Sequence, residues 1–227
     1  MSRAVHLRLI GTAIAAMLGA TSANASLVTF NFSDNQADAA SYTFTDAATG
    51  LVLTITPATF VGSSITQDPS YLVTQDTPGL GVRSSGDGEP LFDAKKNGLQ
   101  DMAIFSFSDT VSLTQIAFNN TDSANDTFDF FHDSDNNNSL VNAGTNSVNH
   151  PSGLVLLSVL FPGLATGDLF GFGSACGGCP PNNEWRISSL SVDVAVTPLP
   201  AALPLFGTGL GVFALVRWFG RRRSQAV

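Results

Sequence analysis

Apolar side chains recur at every second position through much of this 227-residue chain. Val28, Phe30 and Phe32 alternate with Thr29, Asn31 and Ser33. Leu51, Leu53 and Ile55 alternate with Val52, Thr54 and Thr56, and Ala103, Phe105 and Phe107 with Ile104, Ser106 and Ser108. Successive side chains of a strand point to opposite faces, so a period of two specifies half-buried β-strands. Val111–Phe118 resumes after the turn-type triplet Ser108-Asp109-Thr110, which predicts a hairpin there. Further strands are expected over Thr127–His132, Leu154–Phe161, Leu169–Phe172 and Trp185–Val196. Gly, Pro, Asn and Asp separate these runs, and no segment of the body carries a helical period. The pattern predicts an all-β fold, specifically a jelly-roll-like β-sandwich.

Composition fits that reading. Phe supplies 17 residues, against two Trp and two Tyr, lysine is nearly absent, and Asn, Ser, Thr, Asp and Gly are abundant, which points to β structure with long polar loops. Charge is uneven. All 18 acidic residues lie between positions 26 and 200, where the only bases are Arg83, Lys95, Lys96 and Arg186, giving that span a net charge of −14. Such a surface disfavours nucleic acid and anionic membranes and suits solubility, cations or neutral polymers. Roughly 175 residues suffice for one domain with a substantial core.

The two ends differ from the body. Arg3 and Arg8 make a basic start, Leu9–Leu18 is a short apolar stretch, and Ala23-Asn24-Ala25 is an A-x-A cleavage site before Ser26. This is the pattern of a secretory signal peptide over residues 1–25. At the other end no charge falls between Val194 and Val216. A transmembrane helix over about 201–219 would measure roughly 28 Å, against a hydrocarbon core of about 30 Å. Pro204 falls in its first turn, where a missing N–H costs little. Arg217 can snorkel beside Trp218. With Arg221, Arg222 and Arg223 it forms a basic tail over 217–223, which the positive-inside rule holds in the cytoplasm. A domain over 26–195 is then expected outside the cytoplasm.

The order of these tail features carries a resemblance. Val196-Thr197-Pro198-Leu199-Pro200-Ala201-Ala202, a glycine-bearing apolar segment and a terminal arginine cluster resemble the VPLPA-type variant of the PEP-CTERM sorting signal. Thr197 separates Val196 from Pro198, and Pro-Leu-Pro stands in place of Pro-Glu-Pro. The resemblance covers 196–223, with the motif at 196–202. It implies export in a Gram-negative bacterium that makes extracellular polysaccharide. It also implies recognition by an exosortase, a membrane cysteine protease, and cleavage near Pro198–Ala202. More loosely, Gly79–Val82, Asp101–Phe107, Val111–Phe118 and Asp126–Asp133 are similar to the Gly-rich turn, paired strands and acidic turn of exported proteins with such tails. That likeness implies a sandwich related in shape to carbohydrate-binding modules.

Few residue constellations point to chemistry. Cys176-Gly177-Gly178-Cys179 is the one cysteine pair, and in an oxidising compartment it is expected to close a small disulfide loop. Pro180 and Pro181 follow it, which is unlike the helix opening that activates a redox CxxC. Asp133, Asp135 and Asn137 match the first three ligand positions of a calcium loop. Asn138 then replaces the required glycine and Gly144 the bidentate Glu, so the loop is not an EF-hand. A calcium site of another kind and a solvated turn remain the alternatives. No G-x-S-x-G elbow is present. Asp87, Glu89, Asp93 and Asp101 fall in what reads as one Gly-rich loop region, where acids are ordinarily solvated. Trp185, beside the cysteine loop, is the candidate sugar platform, and the competing reading is a core aromatic.

The sequence therefore predicts a non-enzymatic exported protein of the cell surface or extracellular matrix. It would pass through an inner-membrane intermediate held by the C-terminal helix. Its expected partners are signal peptidase and the export machinery, an exosortase and extracellular polysaccharide, with no nucleic acid. No cofactor is expected apart from the calcium alternative. The competing readings are an uncleaved single-span binding module and a polysaccharide-active hydrolase.

Overall fold

The computed structural model describes residues 25–77, 79–83, 91–93, 99–119, 126–133, 137, 139–148, 153–175 and 184–195. Residues 1–24 and 196–227, together with Asp135, Cys176 and Cys179, lie outside them. The described chain is all-β. In order the strands are β1 (Ala25–Asn31), β2 (Gln36–Ala39), β3 (Tyr42–Thr45), β4 (Val52–Val61), β5 (Ser64–Thr66), β6 (Leu72–Asp76) and β7 (Gly79–Arg83). Then come β8 (Gln100–Asn119), β9 (Thr127–Asp133), β10 (Leu140–Ser147) and β11 (Leu154–Leu156). A single helical turn, α1 (Leu157–Leu160), precedes β12 (Thr166–Ser174) and β13 (Arg186–Ala195). Among the described residues no helix is long and apolar enough to cross a membrane.

All pairings are antiparallel, and one hydrogen-bonded network joins all the strands. It is sandwich-like because β8 serves two layers. The first part of β8, Gln100–Phe107, pairs with β4 on one edge and β12 on the other, and β9 and β10 extend that layer. The second part, Val111–Asn119, pairs with β13 and β11, and β1 extends that layer from β13.

Phenylalanine fills the space between. Phe30 of β1 lies 6.2 Å from Phe107, and Phe32 lies 6.2 Å from Phe105. Phe105 meets Phe172 of β12 edge-on at 5.3 Å, and Phe118 packs on Phe128 of β9 at 5.1 Å. Every phenylalanine of the described chain except Phe44 is buried. Each buried ring contributes about 1.5–3 kcal/mol relative to exposure. Edge-to-face pairs add to that.

The structure corrects several sequence expectations. Ser108-Asp109-Thr110 is not a hairpin turn. β8 runs straight through it, and the step from Gly167 to Leu169 on β12 spans Val111 to Ser106 on β8. The surplus residues bulge into solvent at the corner where the strand changes layers. The expected strand Leu154–Phe161 stops at Leu156. Its continuation coils into α1, with Phe161 N–H donating to the Leu157 carbonyl at 2.8 Å, so Leu157 and Phe161 reach the core from a turn. Asp101 lies within β8 and is buried, not in a solvated loop, and Asp126–Asp133 leads into β9 instead of forming an acidic turn. β2, β3, β5, β6 and β10 carry too short or too polar a pattern to be read from the sequence.

Gly79–Val82 is a strand and not a Gly-rich turn. β7 pairs with β6 along its length and touches β13 through Leu80 and Ile187. Arg186, buried on β13, holds the hairpin by pairing with Asp76 and donating to the Gly79 carbonyl at 3.3 Å. The close approach explains the glycine. Gly79 has φ +137°, and a Cβ there would stand 2.5 Å from the Ile187 carbonyl oxygen. Gly79→Ala should therefore cost about 2 kcal/mol of stability, read as a lower urea midpoint. An unchanged midpoint would mean that β7 does not press on β13.

Candidate functional site

The outer face of the β4–β8–β12–β9–β10 layer carries a second, smaller set of buried side chains. β8 turns Ala103, Phe105 and Phe107 into the main core and Met102 and Ile104 outward. β4 does the same with Leu53 and Ile55 inward and Ala58 and Phe60 outward. On β9, Phe128 and Phe130 point inward, so Phe131 and Asp129 point outward. The outward apolar residues bury one another, and Ile65, Leu140 and Leu169 pack against them; β5 pairs with β4 after the Gly62–Ser63 turn and sets Ile65 beside Phe60. Phe60 and Phe131 meet edge-on at 4.9 Å. Gly173 of β12 makes room for them, since a Cβ there would lie 2.4 Å from a Phe60 ring carbon.

Two depressions remain, one on either side of Ser63. The larger, about 530 Å³, is lined by Thr56, Ser106, Gln67 and Ser139 together with the aliphatic Ile104 and Leu169. The smaller, about 330 Å³, is walled by Phe60, Gln100, Asn142, Thr145 and Asp129. Asp129 is paired across the sheet with Gly173 on one side and Thr145 on the other. Its carboxylate is 7% exposed and accepts hydrogen bonds from the Thr145 hydroxyl and the Asn142 side chain. Burial pushes its pKa above the ordinary carboxylate range, and the two donors draw it partway back. Among the described residues Asp129 is the one charged group lining either depression. The site thus offers hydroxyl and amide groups that both donate and accept, an aliphatic pair and one buried acceptor.

The residues singled out from sequence lie elsewhere. Trp185 is fully buried, with its ring stacked on Phe92 at 4.3 Å and met edge-on by Phe118 at 5.1 Å. Its indole N–H donates to the Thr127 carbonyl at 3.1 Å. Neither face is open to solvent, so Trp185 is a core aromatic and cannot serve as a sugar platform. Asp133 ends β9 and is buried, and its Oδ1 accepts the Asn137 N–H at 3.2 Å. Asp135 lies outside the described residues, so the calcium trio is seen only in part. Among the described residues no three metal-ligating acids, histidines or cysteines cluster. Cys176 and Cys179 lie outside the described residues, and so do Ala23 and the motif residues Val196, Pro198, Leu199, Pro200 and Ala201. Ala25 and Ser26 open β1, paired with Ala195 and Val194.

Asp129, Gln100, Asn142 and Thr145 were not legible as a site. Alternation alone places Asp129 opposite Phe128 and Phe130, which was the available signal. Asn142 and Thr145 come from the next strand, whose register with β9 carries a bulge between Asn142 and Gly144, and Gln100 comes from β8. Comparison with protein-family models, with curated proteins and with solved structures returns no match.

Asp129 sets a pH test. Its folded-state pKa is raised, so the folded protein holds a proton that the unfolded chain releases near pH 3.9. Stability from this group is complete below that value and is lost as pH rises through the higher folded pKa. Asp129→Asn removes the loss. The variant should melt above the parent at pH 7 and lose that advantage near pH 3. Parallel melting curves for the two proteins across that range would contradict the burial of this carboxylate.

Proposed function

We propose that this chain is a non-enzymatic exported protein of the cell surface or extracellular matrix, sorted by a VPLPA-type PEP-CTERM signal and cleaved by an exosortase. The ordered tail carries the reading: Val196, Pro198, Leu199, Pro200 and Ala201, then an uncharged membrane-length segment, then arginines. The body supports it in two ways. Its compact unit runs Ala25–Ala195, filling the span between the A-x-A site and the sorting motif. Its sandwich-like all-β form suits a jelly-roll-like binding body, and the polar, nearly uncharged outer face suits contact with extracellular polysaccharide. On this reading signal peptidase acts after Ala25, the helix over about 201–219 holds an inner-membrane intermediate, and Cys176 and Cys179 form a disulfide after export.

Intact mass of the protein recovered from the cell surface and medium tests the sorting. A chain from Ser26 that ends near Pro198–Ala202 is expected. A chain still ending at Val227 would make the tail a permanent anchor and leave an uncleaved binding module. Hydrolysis of the producer's own polysaccharide, abolished by removing one carboxylate, would instead make the protein a hydrolase.

Calcium is a separate part of the proposal, confined to the loop of Asp133, Asp135 and Asn137. Binding there should raise the melting temperature on adding calcium, by about 2.7 kcal/mol of stabilisation at a hundredfold excess over Kd. The rise should disappear when Asp133 and Asp135 are both changed to Ala. No shift on adding calcium would remove the ion from the reading.

A further inference from the structure

The two depressions on the outer face sit side by side on one hydrogen-bonded sheet, with Ser63 forming a wall of both. We infer that this face binds one uncharged oligosaccharide segment, laid across Ser63 with one end over Ile104 and Leu169 and the other against Asp129. The inference rests on the polysaccharide reading above and assigns it to a place.

Four observations carry it. The first is the wall chemistry. Thr56, Ser106, Gln67 and Ser139 in the larger depression, and Gln100 and Asn142 in the smaller, are neutral groups that donate and accept. Sugar hydroxyls do both as well, so each finds a match in either sense. The aliphatic pair Ile104 and Leu169 complements the C–H face of a sugar ring, which is apolar.

Charge is the second. Among the described residues no lysine or arginine lines either depression, and the span 26–200 carries −14. A polyanion would be repelled at long range by that net charge. The third is Asp129. A carboxylate accepts about four hydrogen bonds, and Thr145 and Asn142 supply donors to it. Its remaining acceptor capacity favours a ligand rich in O–H donors. The fourth is form. Both volumes fall within the range of about 300–1,000 Å³ usual for small-ligand sites. The walls stand largely on paired strands, which hold side chains more firmly than loops do.

The test is titration calorimetry on the full chain in a detergent without a sugar headgroup. The probes are cellohexaose, maltohexaose and mannohexaose as neutral ligands, and hexagalacturonate as the anionic one. At least one neutral probe should bind, and hexagalacturonate should not. Asp129→Asn removes the charge at one end and turns one of the two acceptor oxygens into an NH2 donor. Ser106→Arg puts a long cation into the other end from an exposed position, where it leaves the core untouched. Each should weaken the neutral probe by about tenfold or more, as loss of a buried hydrogen-bond partner does. Binding of a neutral probe that neither variant weakens would overturn this site and leave the polysaccharide reading standing. Failure of all three neutral probes would overturn the inference, whereas the sorting reading depends on intact mass alone. Preference for hexagalacturonate would overturn the neutral class of ligand.

Discussion

β8 hydrogen-bonds to four other strands, two along each edge, and the body is organised around it. Its first part lies between β4 and β12, and its second between β13 and β11. The bulge at Ser108–Thr110 lets one strand turn the corner between layers without ending. Both layers therefore share a backbone, and their inner faces are held in register by the phenylalanines that β8 and its neighbours present. Phe107 reaches across to Phe30 of β1 and Phe105 to Phe32 just beyond it, whereas Phe118 reaches back to Phe128 of β9. Close-packed aromatic interiors tolerate little change in volume, so the positions of the outer residues follow from this inner fit.

The outer face shows what such a scaffold leaves available. Strict alternation would expose everything opposite the core. Here Phe60, Met102 and Phe131 break the rule and are buried in a cluster with Ile65, Leu140 and Leu169 packed against it, and Gly173 leaves room for the Phe60 ring. This small second cluster carries the two depressions at its margins. Asp129 is set in one of them by a backbone paired on both sides, and burial raises its pKa while Thr145 and Asn142 draw it back. A buried carboxylate held against neutral donors is a common mark of a binding position.

The ends of the body have a simple geometry. β1 begins and β13 ends at the same end of one strand pair, Ala25 opposite Ala195. On the proposed reading the two processing events act on chain that leaves the folded unit from adjacent residues. β13 is held by β1, β7 and β8 together. A pull on the C-terminal side is therefore borne by the centre of the fold and not by a peripheral hairpin.

Much of this was legible in the residues. Alternation in β1, β4 and the first part of β8 separated the inward from the outward side chains, because opposite faces for successive residues is a local property of extended backbone, and β9 and β12 were legible as strands. The all-β class followed, and the succession of motif, apolar segment and arginines in the tail is the basis for expecting export, without reference to any fold. What a strand pairs with is not local. Only the tertiary structure decided that Ser108-Asp109-Thr110 is a corner within one strand, that Gly79–Val82 is a strand packed close to Ile187, and that Trp185 is sealed between Phe92 and Phe118. It alone brought Asp129, Gln100, Asn142 and Thr145 together from three strands, since register across a sheet is set by the packing of distant segments and leaves no mark in the order of neighbouring residues.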